Sequence, residues 1–456
     1  MRHNLTVSRA LLTLFCALAP LDAQFNGSTP SGQATASPLM LTLDDAIARG
    51  LKTNLGLLTS ENSSTMARVD RMRLLTEIFL PTLSVGVLMS EQQISLATFG
   101  FHIQNVPSVI GPFHYQDARA AADIPVYDPR GRNALRSRNE SIRAAELSVK
   151  DARDLVVQAV AAAYLQIIAT SARVDATKSQ VGTAQVLYEK ARDQHRAGTS
   201  PAIDELRAQV ELKTQQQQLL ALQNQVEKDK LTLARAIGLP AGQVFQISGK
   251  APYKPLEGLS PSEALQKAYA SRADYQSARA QVRAAELARQ AAAAQWLPSA
   301  SVSTNYDVVG DTFASSHGTF AVTGSVKMNV FDGGKRKADV LEQETVLKQR
   351  KEELANLQGQ IDQEVRSALL DLNSTADQVA VAESNLGLAN QTLTQARDRF
   401  TAGVTDNIEV VQAQQSVSNA QQNLISSIYA HNLAKVALAR AMGEAETNLK
   451  TFMGGQ

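Results

Sequence analysis

Ala191-Arg192-Asp193, Ala197-Gly198 and Ala234-Arg235-Ala236-Ile237-Gly238 recur along the chain as Ala396-Arg397-Asp398, Ala402-Gly403 and Ala439-Arg440-Ala441-Met442-Gly443, all at an offset of 205. Ile203 with Ile408, Gln209 with Gln414 and Lys230 with Lys435 keep the same offset. Register held this far without a gap marks a tandem duplication, which constrains the fold before any single residue does. Upstream the copies continue at other offsets. Phe79-Leu80-Pro81 answers to Trp296-Leu297-Pro298 and Val126-Tyr127-Asp128 to Val330-Phe331-Asp332, so the first copy carries 13 extra residues between these landmarks. They fall around Ile94 to His114, where a loop is the natural place for an insertion.

Each copy reads in one order. A helix comes first, Leu43 to about Ile78 and Pro261 to about Gln295, stopped by a Leu-Pro step. Two alternating segments joined by a loop follow: Thr82 to Gln92 with Tyr115 to Tyr127, and Ser299 to Val309 with Thr319 to Phe331. Ser301, Ser303 and Asn305 alternate with Val302, Thr304 and Tyr306 as in a half-exposed strand, whereas Ala120, Ala121 and Ala122 blur the pattern in the first copy.

Residues 131–196 and 335–401 contain no proline and few glycines. At ~1.5 Å per residue each could reach about 100 Å as a helix. Gly198 and Gly403 end these runs as C-terminal caps, and second helices, Ala202 to Ile237 and Ile408 to Met442, fold back. Val174, Val181, Ala184, Tyr188 and Ala191 form a heptad seam that reappears in register as Val379, Leu386, Ala389, Leu393 and Ala396. Leu212, Leu219, Leu222, Val226 and Leu233 stripe the first returning helix; its partner keeps Val417, Leu424 and Leu438 but places Ser427 and His431 between them. All of these positions read as core packing.

The first residues carry Arg2 and Arg9, an apolar stretch from Ala10 to Ala19, Pro20 and the small Ala23, the layout of a secretory signal peptide cleaved near Ala23/Gln24. The one cysteine, Cys16, lies in that leader behind Leu14 and Phe15, which are not the small residues of a lipidation site. A mature chain without cysteine forms no disulfide and no thiolate metal site. Past the leader, the spread of charge is read as excluding helical membrane spans on pattern, and an exported chain can still meet a membrane through a β-barrel. With 45 basic and 44 acidic residues there is no electrostatic footprint for nucleic acid. Aromatic content of 5% with abundant Ala, Gln and Leu suits long close-packed helices.

Strands of about 11 residues match a tilted membrane strand. Four of them cannot close a barrel, and open edges are not tolerated in lipid, so several chains must share one. Two chains would give eight strands and three would give twelve; a pore that passes solutes favours twelve, and three chains would assemble a twelve-membered helical tube.

Taken together, Leu41-Thr42-Leu43-Asp44-Asp45-Ala46-Ile47 with its echo Ser262-Glu263-Ala264-Leu265, the two Leu-Pro steps, Val330-Phe331-Asp332-Gly333-Gly334-Lys335-Arg336, and Arg399-Phe400-Thr401-Ala402-Gly403 with Glu409 six residues beyond resemble the TolC-type outer-membrane efflux proteins, or outer-membrane factors, over roughly Leu41 to Gly443. The resemblance implies a mainly α fold with a membrane β-barrel portion, in which a homotrimer of tandem-duplicated units forms a 12-stranded barrel in outer-membrane lipid and a 12-helix periplasmic tunnel. It also implies a periplasmic adaptor (membrane fusion) protein and an inner-membrane pump of RND, ABC or MFS type as partners. Domain boundaries follow: signal peptide 1–23, flexible segment 24–40, first repeat 41–240, linker 241–260, second repeat 261–443 and tail 444–456.

Carried over by position, the turns after Gly198 and Gly403 become the periplasmic tip. Asp204 and Glu409 fall at acidic tip positions with Asp406 between, and Gln412 stands where the family has a second acidic residue. Three copies of Glu409 would ring the constriction with carboxylates; an ordinary helix-start carboxylate explains it equally. Asp204 after Pro201 has the same plain reading. Arg192 and Arg397 are candidates for salt bridges at the tip, and also plain C-terminal cations.

No catalytic set stands out, and the histidines at 3, 102, 114, 195, 317 and 431 include no pair at i, i+3 or i+4 that would make a metal face. No cofactor is expected. The leading reading is therefore a passive export duct, with a soluble periplasmic coiled-coil adaptor or structural protein as the alternative. The alternative leaves the matched strand pairs in both copies unexplained, and an enzyme is the least favoured class.

Overall fold

The computed structural model describes residues 27–35, 37–249, 253–256, 259–402, 404–405 and 407–453. The signal peptide and Cys16 lie outside the described residues. The chain forms two compact units: one takes residues up to Asn62 with Glu146–Gln276 and those from Asn356 on, the other Ser63–Ala145 and Ser277–Ala355. In chain order the elements of the first repeat are β1 (Leu39–Leu41), α1 (Leu43–Thr53), α2 (Leu55–Phe79), β2 (Thr82–Ser95), β3 (Val109–Tyr127), α3 (Pro129–Arg196) and α4 (Ala202–Ala236). After β4 (Phe245–Ile247) the second repeat gives α5 (Pro261–Ser271), α6 (Ala273–Ala293), β5 (Ser299–Gly310), β6 (His317–Lys327), α7 (Lys335–Thr401), α8 (Asn407–Ala441) and α9 (Ala445–Met453).

The second unit holds one antiparallel sheet in the order β2-β3-β5-β6, so the two hairpins meet through β3 and β5. The 13-residue excess does not simply swell a loop. It lengthens the strands, with pairing continuing from Gln92↔Phe113 past a bulge to Ser95↔Val109. The register makes the sheet two-faced. One row sets Val85, Ala120, Tyr306 and Phe320 side by side, and the next row on that face sets Leu83, Ala122, Thr304 and Val322. The opposite face carries Thr82, Asp123, Ser303 and Thr323. The alanine run thus alternates after all: Ala120 and Ala122 lie on the apolar face and Ala121 on the polar one. On that polar face Arg119 bridges the strands, 2.9 Å from Asp117 and 2.7 Å from Asp307. At the base of the sheet each long helix starts on an aspartate. Asp128 accepts the amides of Arg130 and Gly131, and Asp332 accepts those of Gly334 and Arg336.

The first unit contains two matched cores. Val156, Val160, Leu233 and Ile237 serve the first repeat, and Ile361, Val365, Leu438 and Met442, each 205 residues on, serve the second. The seam holds, with Ala184, Ala191, Val379, Ala389, Leu393 and Ala396 buried. Residues 155–172 carry no charge, and α3 passes for a membrane span on length and hydropathy alone, so the spread of charge does not by itself exclude one. In the structure this stretch supplies Val156, Val157, Val160, Ala161, Leu165 and Ile167 to the cores.

Three local features depart from expectation. Each opening helix is broken, at Asn54 and at Arg272, both in extended backbone; capping boxes at Thr42/Asp45 and Ser260/Glu263 start α1 and α5. The segment 24–40, expected to be flexible, is held over its described part, with Thr29 N donating to Thr53 O at 2.9 Å and Ser31 N to Gly238 O at 3.2 Å. It leads into β1, which pairs in parallel with β4 from the linker, and the buried Tyr164 hydroxyl donates to Ser248 O at 2.7 Å, tying down the end of β4. The tail contains α9, seated in the second core through Ala445, Leu449 and Phe452.

Candidate functional site

The tip is built where α3 turns into α4 and α7 into α8. Its first turn is a Schellman closure: Gly198 N donates to His195 O at 3.0 Å and Thr199 N to Gln194 O at 2.9 Å. Gly198 takes φ +72 with open space around it, so it is chosen for its backbone and not for a close contact. Gly403 and Asp406 lie outside the described residues. Val404 N reaches Arg399 O at 3.0 Å, closing a turn of the same span.

The acidic candidates are handled differently in the two copies. Asp204 accepts from Ser200 Oγ at 2.8 Å and faces Arg207 at 3.7 Å, so it is occupied within its own helix start. Glu409 reaches across its hairpin to Arg399, 3.2 Å away, with both side chains about half exposed. Arg399 stands at an offset of 205 from Gln194, so the first hairpin cannot form this bridge. In the sequence Arg399 stands out only as part of a motif; the signal for the bridge is its i+10 relation to Glu409 around a tight turn.

Arg192 leans on Asp193 at 3.4 Å and over Tyr188. Arg397 instead borders a 540 Å³ cleft with Val186, Leu187, Lys190, Phe400 and Val410, where the Lys190 ammonium sits 5.3 Å from the Phe400 ring centre. Gln412 is exposed and lines a second, 470 Å³ cleft between the returning helices, with Ile203, Leu206, Val210, Ile408 and Val411. The candidates thus fall into two groups. Glu409 with Arg399, and Arg397 in its cleft, belong to one hairpin end and its neighbour α3; Gln412 lines the seam between α4 and α8, while Asp204 is held within its own helix start.

Above the tip the packing is partly polar. Ser418 Oγ donates to Gln180 Oε1 at 2.8 Å and Arg173 donates to Ser426 Oγ at 2.9 Å, joining α3 to α8. Among the described residues no group of His, Cys, Asp or Glu is placed to hold a metal ion.

The chain belongs to the outer membrane efflux protein family, whose sequence pattern matches residues 63–239 and 264–444, one tract in each repeat. It is 26% identical over 327 residues to the pyoverdine export outer membrane protein OpmQ of Pseudomonas aeruginosa, covering 68% of this chain and 66% of that protein. To the toluene efflux pump outer membrane protein TtgC of Pseudomonas putida it is 26% identical over 316 residues, covering 67% and 63%. The chain thus spans a little less than two thirds of the length of these relatives. Its fold is shared with the solved outer membrane protein VceC of Vibrio cholerae, at a TM-score of 0.75 and 18% identity over 88% of this chain and 96% of that one.

Proposed function

We propose that three copies of this chain close a twelve-stranded barrel in the outer membrane of a Gram-negative cell and continue as a twelve-helix periplasmic duct, through which substrates delivered by a periplasmic adaptor and an inner-membrane pump leave passively. The sheet carries the reading. Leu83, Val85, Phe320 and Val326 on its apolar face are each more than three-quarters exposed, which suits lipid and is costly in water at roughly 25 cal/mol per Å². Among the described residues no strand pairs with the outer edges of β2 and β6, and in lipid such edges must be paired by another chain. Tyr127, Trp296 and Phe331 are exposed at the base of the sheet, where an aromatic belt meets headgroups. Family membership supports the location, and the relatives named for pyoverdine export and toluene efflux support an export role.

The purified protein, run unheated on a denaturing gel, migrates as a trimer that collapses to a monomer on boiling, and it fractionates with outer membranes. A soluble monomer would overturn the duct in favour of a periplasmic adaptor. The tip is the gate of this duct. Glu409 and Arg399, with Arg397 in the adjoining cleft, hold the second hairpin end; Gly198 sets the first turn; Asp204 and Gln412 line the entrance, with Arg192 beside it. Glu409→Gln in planar bilayers weakens cation preference and raises the open fraction, and unchanged currents would remove Glu409 from the gate.

A further inference from the structure

His431, Asn432 and Lys435 on α8 are all fully buried, with no measurable exposure. Burial of these residue types is uncommon without full pairing. The position is not forced by the repeat, because at the offset of 205 the first copy has Val226, Glu227 and Lys230, and there Lys230 lies 2.7 Å from Glu227 in a solvent-accessible ion pair. In the second copy the Lys435 ammonium instead donates to the backbone carbonyl of Lys254, in the segment between the repeats. The Tyr253 ring lies 5.1 Å from the His431 ring, and Leu256 packs on the second core.

The tautomer of His431 follows from its neighbour. The single hydroxyl proton of Thr375 goes to Asp371 O at 2.6 Å, so at 3.3 Å Thr375 Oγ1 must accept from His431 Nδ1–H. Nε2 is then a bare lone pair, buried and without a partner, as are both amide atoms of Asn432. We propose that residues 253–256 form a pH-sensitive strap, closed over α8 by Lys435 and released when His431 takes up a proton at Nε2. A second positive charge would then sit in the same enclosed space as Lys435. The Lys254 carbonyl, the acceptor offered by the strap, would then have to serve two cations in that space.

The groups facing His431 are Lys435 from its own helix, Tyr253 and Lys254 from the strap, and the Thr375 hydroxyl and Leu372 carbonyl from α7. Burial and then the Lys435 charge push His431 below its ordinary value, with the carbonyls of Lys254 and Leu372 pulling the other way. Burial likewise pushes Lys435 down. The sign is therefore fixed: the closed strap refuses a proton that the open strap accepts, so closure is favoured above about pH 6.5 and lost progressively below it.

The test is hydrogen–deuterium exchange at the amides of Tyr253, Lys254 and Leu256 in the purified full-length protein, at about pH 7.5 and about pH 5.5, corrected for the chemical exchange rate. Opening should rise about ten-fold at the lower pH, one unit below the free imidazole value. His431→Gln should make exchange equal at the two pH values, and Lys435→Met should raise it at both. Exchange in the native protein that does not change with pH, or a pH dependence that survives in His431→Gln, would overturn the strap. Because His431→Gln keeps a polar side chain of similar size, the test stands even if Lys435→Met fails to fold.

Discussion

The two breaks between the opening helices, at Asn54 and at Arg272, are one backbone solution reached by two chemistries. At Asn54 the side-chain Oδ1 accepts from Gly56 N at 2.9 Å and caps α2 with a neutral group. At Arg272 a buried guanidinium grips Asp274 through two bonds of 3.0 and 2.7 Å, pairs with Glu364, and donates to Ala441 O at 3.3 Å. Arg440 with Asp151 at 2.6 Å, and Asp154 accepting from Glu446 N at 2.8 Å, extend charge around the second junction. Each repeat then ends on a left-handed glycine pressed against its own break, Gly238 on Thr53 and Gly443 on Arg272. Geometry is the conserved part of the duplication; the polar chemistry that holds it is free to diverge.

Gly443→Ala should cost most. The new Cβ would sit 2.7 Å from the Arg272 backbone at φ +70, and overpacking with left-handed strain should cost about 3 kcal/mol or more. Gly238→Ala should cost somewhat less: it meets Thr53 Oγ1 at 2.5 Å, which can rotate away, and Thr53 Cβ at 2.7 Å, which cannot, where Gly443 meets two backbone atoms of Arg272, and thermal melting of the two variants ranks them. A Gly238 variant as damaged as the Gly443 one would mean that the backbone break, and not its contact, sets the cost.

Arg272→Ala comes next, at about 3 kcal/mol near neutral pH, the low end for a buried pair that loses one member, since Glu364 is 45% exposed. Burial works to raise Asp274, yet the hydrogen bonds and charge of Arg272 hold it below the usual carboxylate value. A depressed carboxylate stabilises above its ordinary value and loses that contribution as pH falls through the depressed one. The gap between native protein and Arg272→Ala should therefore narrow below about pH 4, read as melting temperature against pH. Asn54→Ala should cost only about 1 kcal/mol, as lost caps do, without that narrowing. Gly198→Ala stands beside it at about 1 kcal/mol, from the left-handed backbone alone, because nothing stands within 4 Å of a Cβ there.

The duplication, the long helices and the two hairpins were legible because periodicity and register survive in one dimension. The seam from Val379 to Ala396 needed only heptad spacing. The breaks at Asn54 and Arg272 were not legible, since neither proline nor glycine stands there and the cause is packing against the far end of the same repeat. The three-residue strands β1 and β4 are too short to show a period, and their pairing spans some two hundred residues of chain. At the tip the candidate acids were found by position. What each touches depends on turn geometry, which is why Arg399 went unassigned.

The uncharged stretch 155–172 serves as a core in the folded chain, yet on its way there it must pass a machine that reads hydropathy segment by segment. Seven of its residues are Leu, Val or Ile, and these pull toward lateral release into the first membrane an exported chain meets. Gln158, Gln166, Thr170 and Ser171 pull it back. Thr170 is buried and bonded to Asp229 at 2.7 Å, so a residue that orders the finished helix also lowers the hydropathy of the stretch. The hydrophobicity of this core thus answers to two demands, packing in the fold and passage of the chain.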